Sequence, residues 1–209
     1  MTEFAEEIID VDRLRELMPF DETSGAAFIV SDKLNDVARR FVALSPFFVI
    51  ASKSDGGLID VSPKGDPAGS VKVLDDHTLV IPDRLGNHRT DTFRNIISDP
   101  DVALIFFVPG HGFSLRVSGK AKIVRDASLN ASMAVHGKEP LLALVIHVEA
   151  ALMHCAKALI RSGIWRPDSW PDRGAAPVLA EWQLEVVDEK RTLEEVMAAH
   201  TNDEKSRLY

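Results

Sequence analysis

The apolar positions of the chain fall into two periods. Residues 10–18 read as a short helix stopped at Pro19. From Lys33 to Leu44, the residues Leu34, Val37, Ala38 and Phe41 recur at helical spacing, with Ser31 and Asp32 in place to cap the start. The period then shortens. Phe47–Ala51 reads as a buried strand, Asp55-Gly56-Gly57 as a turn and Leu58–Val61 as the returning strand. Val71–Leu74 and Thr78–Ile81 flank Asp75-Asp76-His77 as a second hairpin. Val102–Val108 and Ser114–Val124 flank Pro109-Gly110-His111-Gly112 as a third. In Ser114–Val124, Leu115, Val117, Gly119, Ala121 and Ile123 share one face, and Ser114, Arg116, Ser118, Lys120 and Lys122 share the other. Leu141–Met153 completes the series as a long final strand.

A single helix interrupts the meander, from about Asn87 to Ser98, with Phe93, Ile96 and Ile97 on its apolar face and Asp99-Pro100 as its stop. Another follows Cys155 and runs to about Arg161. Beyond it lie a stretch bearing Pro and Trp, Trp165–Pro177, and a polar tail, Glu189–Tyr209, expected to be a helix on the surface or packed in a dimer. The expected fold class is mainly β with peripheral helices. Its six or seven strands at hairpin spacing point to an antiparallel barrel and not to a parallel sheet with crossover helices.

Composition narrows the function classes. The 209 residues carry a net charge of −8, which disfavours nucleic acid as a partner, because phosphate backbones are bound by basic surfaces. Cys155 is the one cysteine, so no intrachain disulfide forms and a reducing, cytoplasmic setting fits. The N-terminal segment carries Glu3, Glu6, Glu7 and Asp10 in place of a basic and apolar leader. The longest apolar run, Val102–Val108, is far short of a bilayer span, and no membrane role is expected. Nucleophile-elbow, phosphate-loop and zinc-protease motifs are missing. Gly110-His111-Gly112 is too short for a dinucleotide fingerprint, and no metal site is expected.

Three segments could carry chemistry. Pro82–Arg89 joins a strand to a helix. With Asn87 as N-cap, the free N–H groups of the first turn lie beside Arg84, His88 and Arg89, a setting that suits a dianionic phosphate. On the residues alone, a solvated basic loop is the commoner explanation. Asp60–Gly65 ends a strand with Pro63 and Lys64, where a lysine could stabilise charge on a planar ring; an exposed lysine in a turn explains it as well. Lys157, Arg161 and Trp165 fall at i, i+4 and i+8, suiting either an anionic planar ligand or an ordinary amphipathic surface. Cys155, at a strand end, reads as a buried small side chain.

Together the segments resemble the FMN-binding, pyridoxamine 5'-phosphate oxidase-related family. The resemblance rests on Ser62-Pro63-Lys64-Gly65-Asp66, on Ile81-Pro82-Asp83-Arg84-Leu85-Gly86-Asn87-His88-Arg89, and on His154-Cys155-Ala156-Lys157-Ala158 with Arg161-Ser162 and Trp165. It implies an FMN-binding split β-barrel domain over 33–171, preceded by a helical extension over 1–32 and followed by an extension over 172–209. It also implies a homodimer with FMN at the subunit interface. Asp83, Arg84, Asn87, His88 and Arg89 match the phosphate segment, and Ser62, Pro63 and Lys64 match the strand end along the isoalloxazine. Ser114 and Arg116 match the strand position near the ring or ribityl chain, while Lys157, Arg161 and Trp165 would come from the partner subunit.

Two departures bear on substrate. The oxidase itself carries S-R-K where this chain has Asn87-His88-Arg89, so a fixed cation becomes a histidine. The oxidase's C-terminal R-L-H-D-R element has no counterpart. The resemblance therefore implies an FMN-dependent oxidoreductase acting on a small molecule that it does not identify, with pyridoxamine phosphate disfavoured and no catalytic side chain named. The alternatives are a carrier or sensor of flavin or haem, for which His88 and His154 are the candidate axial ligands, and a structural dimer with no ligand.

Overall fold

The computed structural model describes residues 4–188 and 190–207, and the chain divides into two compact units at Val30/Ser31. The first holds α1 (Val11–Leu17), capped by Asp10, whose carboxylate accepts from the Arg13 N–H at 2.7 Å. Arg13 pairs with Glu6 and Glu16, and the Arg15 guanidinium lies 5.1 Å from the centre of the Phe20 ring.

The second unit is built on one antiparallel sheet of seven strands: β1 (Phe47–Lys53), β2 (Ile59–Gly65), β3 (Lys72–Asp75), β4 (Thr78–Pro82), β5 (Asp101–Phe107), β6 (Ser114–Val124) and β7 (Ala143–His154). Their order is β2-β1-β5-β6-β7-β4-β3, so β2 and β3 are the edges and the sheet does not close. This is a mainly-β, split-barrel-like fold. Alternation buries one face: Phe48 and Ile50 of β1, Val102, Leu104 and Phe106 of β5, Leu115 and Val117 of β6, and Leu144, Ile146 and Val148 of β7. Pro63 sits on the edge strand β2, where a missing N–H disturbs no further ladder.

The β6–β7 ladder shifts register at Ser118/Gly119, with Ala150 opposite Ser118 and Val148 opposite Gly119, so Glu149 is the extra residue of a bulge. Here a glycine is required. A Cβ at Gly119 would lie 1.9 Å from the His147 carbonyl oxygen.

α2 (Asp36–Leu44) covers the buried face through Ala38, Phe41 and Val42, joined by Leu34 just before its cap. Its cap is Asn35, which accepts from the Ala38 N–H at 3.0 Å, and not the expected Ser31 or Asp32. Ser31 bridges to Ala151 of β7 instead, and Val37, expected on the apolar stripe, is about half exposed. Lys33 and Arg39 both pair with Asp76, tying α2 to the β3–β4 turn.

α3 (Asp91–Ser98) packs Ile96 into the core, and its Asn95 amide donates to the Ser52 hydroxyl of β1 at 3.0 Å in a buried site. Ile97, expected on its apolar face, points to solvent. α4 (Ala127–Ser132) was not foreseen; with Met133 it covers Val80 and Ala143 in a smaller second core. α5 is Lys157–Ser162. α6 (Leu179–Val186) and α7 (Leu193–Ser206) pack together and bury Ala180 and Val196. The expected tail helix is α7; the ends of that stretch, Glu189, Leu208 and Tyr209, lie outside the described residues, as does Glu3. Among the described residues, no helix is long and apolar enough to cross a membrane.

Candidate functional site

A cleft of about 640 Å³ is lined by residues 60–64, 83–93 and 138–142, and a smaller cavity of about 370 Å³ shares Ser62–Lys64 and residues 83–87 with it. The topology explains this meeting. β2 is one edge of the sheet and β4 lies next to the other edge, yet the chain at β2 and the chain leaving β4 border one cleft. The sheet must curl to bring them together, as right-handed strand twist requires of a wide antiparallel sheet.

On β2 the alternation places Asp60, Ser62 and Lys64 on the more sheltered face, with Val61 and Pro63 on the more exposed one. Lys64 and Asp83 lie across the cleft as an electrostatic pair. Burial holds the Lys64 ammonium below the ordinary lysine value, with Asp83 and Asp60 pulling the other way. Burial also raises the Asp83 carboxyl, opposed by Lys64, by the Arg84 N–H and by the charges of Arg84 and His88. The Asp83 N–H donates to the Leu142 carbonyl at 2.9 Å, which fixes the third wall.

The expected helix start at Asn87 is not found. Residues 83–90 are loop, and α3 begins at Asp91. The Asn87 side chain accepts from the Arg89 N–H at 3.0 Å, and His88 and Thr90 adopt positive φ values of 57° and 55°. A right-handed helix cannot contain such residues. The anion-attracting feature therefore moves along the chain without being lost. Thr90 stands at the N-cap with no side-chain cap bond, its hydroxyl donating to the Arg89 carbonyl at 2.8 Å. The first-turn N–H groups of Asp91, Thr92 and Phe93 consequently have no helical or capping acceptor, and all three residues line the cleft.

The two arginines of this segment do different things. The Arg84 guanidinium is largely buried; it donates to Asp66 at 2.7 Å and to the Met133 carbonyl at 2.8 Å, so it braces the loop against the end of β2. Arg89 is 71% exposed and pairs with Asp91 at 2.7 Å on the open side of the cleft. Asn87 and His88 are exposed beside it.

The remaining sequence-derived residues do not line this cleft. Ser114 is buried, and Arg116 lies 3.2 Å from His154 Nε2 on the neighbouring strand. Lys157 and Arg161 share α5, but Gly163 (φ 64°) ends that helix, so Trp165 does not continue their face. The Trp165 indole N–H is buried without an acceptor. Cys155 is exposed, not buried as expected, because it follows β7 outside the ladder. Residues 138–142 form a wall that sequence reasoning missed; a Lys-Glu-Pro loop before a strand carries no chemical signature. Among the described residues there is no metal-binding group of His, Cys, Asp or Glu.

The curled, split-barrel-like sheet carries a cleft within the size range usual for small-molecule sites. The family model for pyridoxamine 5'-phosphate oxidase matches residues 34–155, more than half of the sequence, and the chain belongs to that family. No curated protein matches it. Similar solved structures include HupZ of Group A Streptococcus, at 17% identity over 56% of this chain and 90% of that one, TM-score 0.46. General Stress Protein 26 of Bacillus anthracis str. Sterne follows at 12% over 55% and 88%, TM-score 0.43. An F420 reductase matches at 19% over 54% and 94%, TM-score 0.42. At this distance they carry no conclusion about what this chain binds.

Proposed function

We propose that the protein binds FMN in the cleft between β2 and residues 83–93 and works as an FMN-dependent oxidoreductase on a small-molecule substrate. One observation carries the reading. Two segments about 20 residues apart, each matching a cofactor-holding element of the family, line a single cleft from opposite parts of the sheet. The donor set suits the cofactor. Arg89 supplies a cation and His88 and the uncapped start of α3 supply N–H groups for a phosphate, and Lys64, half-buried on β2, supplies the positive charge for a ring that gains electron density.

Bound flavin supplies the hydride-accepting centre and the route of electrons to a second acceptor. The chain's own residues bind, orient and shelter it. Arg84 serves as a strut through Asp66, and no acid or base is required of the protein. Leu58, Ile59 and Val61 leave apolar surface exposed along β2, which supports coverage by a second copy in a homodimer. Lys157, Arg161 and Trp165 would then reach the partner's cleft. The single cysteine suits the reducing cytoplasm. A haem reading is weakened because the Nε2 atoms of both candidate axial histidines are engaged by guanidinium groups, His88 by Arg207 and His154 by Arg116.

The test is an absorption spectrum of purified protein before and after incubation with FMN and desalting. Retained flavin bands are expected. A protein at micromolar concentration that keeps no flavin would overturn the reading, and a Soret band after haem addition would replace it.

A further inference from the structure

The C-terminal extension reaches the same cleft loop. Arg207, the residue capping α7, places Nη2 2.7 Å from His88 Nε2, across 119 residues of sequence. Its other guanidinium nitrogen, Nη1, is held by Asp203 one turn back at 2.9 Å, so the side chain is aimed from both ends. A guanidinium donates and never accepts. His88 Nε2 must therefore be the acceptor, which leaves the ring proton on Nδ1. His88 also sits in the left-handed region, a strained state for a residue with a side chain, which persists where the surroundings hold it.

We propose that α7 makes Arg207 a positioning cation for the anion-binding loop: it fixes His88 as the Nδ1–H tautomer and adds a guanidinium charge behind it. The proposal rests on the cleft holding an FMN phosphate beside His88. It answers the departure seen in the sequence, where a histidine stands at a position of fixed charge: the missing cation is returned from the far end of the chain. Arg207 does not line the cleft, so it acts through His88. The charged groups facing His88 are Arg207 on the α7 side and Asp83 on the cleft side. α7 does not need this contact in order to fold. It carries a Thr192/Glu195 capping box, a fully buried Val196, and a His200–Gln183 hydrogen bond of 3.1 Å to α6.

The experiment uses the full chain, with Arg207→Ala and Arg207→Lys. Nitrogen NMR of His88, assigned with His88→Gln and recorded above the imidazole titration range, reads the tautomer without ligand. Flavin fluorescence titrations with FMN and with riboflavin, which lacks the phosphate, read the anion contribution. Wild type should show Nδ1–H, and Arg207→Ala should shift the ring toward Nε2–H. The same variant should weaken FMN about two- to fivefold, the range for a partly screened charge, leave riboflavin unchanged, and be rescued in part by Arg207→Lys. An unchanged tautomer, or equal losses for FMN and riboflavin, would overturn the proposal while leaving the cleft assignment standing. A wild-type protein that binds neither flavin would overturn the cleft assignment, and this proposal with it.

Discussion

Arg89 and Asp91 form the pair through which the cleft assignment is most directly tested. Their contact of 2.7 Å is between an exposed guanidinium and a carboxylate about one-third exposed, so by itself it contributes about 0–1 kcal/mol to folding. Arg89→Ala should therefore leave unfolding nearly unchanged. Toward a phosphate the same guanidinium would make a charge-assisted hydrogen bond, for which about 1.5–3 kcal/mol is usual. That corresponds to roughly 10- to 150-fold in the dissociation constant of FMN. Removing Arg89 also leaves the Asp91 carboxylate facing the anion at the start of α3, where it competes for the same N–H groups.

Asp91→Asn should act in the opposite direction. It tightens FMN by about two- to fivefold while weakening the helix start by about 0.3–1 kcal/mol, the usual worth of an acid at a helix N-terminus. The double variant should bind FMN more tightly than Arg89→Ala alone. Fluorescence titration of each variant with FMN and with riboflavin is the assay, and riboflavin should hold within about twofold throughout. An Arg89→Ala protein whose FMN affinity lies within twofold of wild type would refute the assignment, as would one that loses riboflavin equally.

Other perturbations test the frame around the site. Arg84→Ala should cost about 3 kcal/mol of folding stability in urea, because it withdraws the guanidinium from the sheltered Asp66 carboxylate; a loss below about 1 kcal/mol would mean the pair is well hydrated. Gly119→Ala should cost about 3 kcal/mol or more, since the new Cβ meets the His147 backbone and not a movable side chain. An unchanged melting temperature would place the bulge elsewhere. Asp83→Asn should remove a pH dependence. Burial raises this carboxyl above its ordinary 3.8, so the stability it contributes is full below that value and is lost as pH rises through the raised one. The melting temperature of the variant minus that of wild type should climb from the ordinary carboxylate range toward neutrality, and a falling difference would contradict the burial of Asp83.

The strands were legible because their signal is local. Alternation along Ser114–Val124 groups Leu115 and Val117 with Gly119 and Ala121 without any knowledge of the partner strands, and all four are buried, although Ser114 of the opposite face is buried as well. Errors arose where another contact, local or tertiary, outranks the capping preference. Asn87 is a good cap by type, but its amide oxygen is taken by the Arg89 N–H, and two left-handed residues follow before the helix can begin. Ser31 looked like a cap and is instead drawn to Ala151, a neighbour that no local window contains. α4 lacks an apolar stripe long enough to read, since it covers only a small second core.

The site was legible as residue types and not as pairings. Every cation singled out on the cleft segments has a carboxylate as its counterpart: Lys64 faces Asp83, Arg84 holds Asp66, and Arg89 holds Asp91. In sequence, these acids read as turn residues beside basic ligands. In the fold they keep the cleft near electrical balance, so an incoming anion must displace a carboxylate and not merely find a free charge. The cost of that exchange differs along the cleft. Arg84 is buried with its partner and cannot change it without leaving a carboxylate desolvated. Arg89 is exposed and can turn from Asp91 to a ligand at little cost. Burial rather than residue type therefore separates the arginine that builds the loop from the arginine that would bind, and burial is set by the curl of the sheet, which no stretch of the sequence encodes alone.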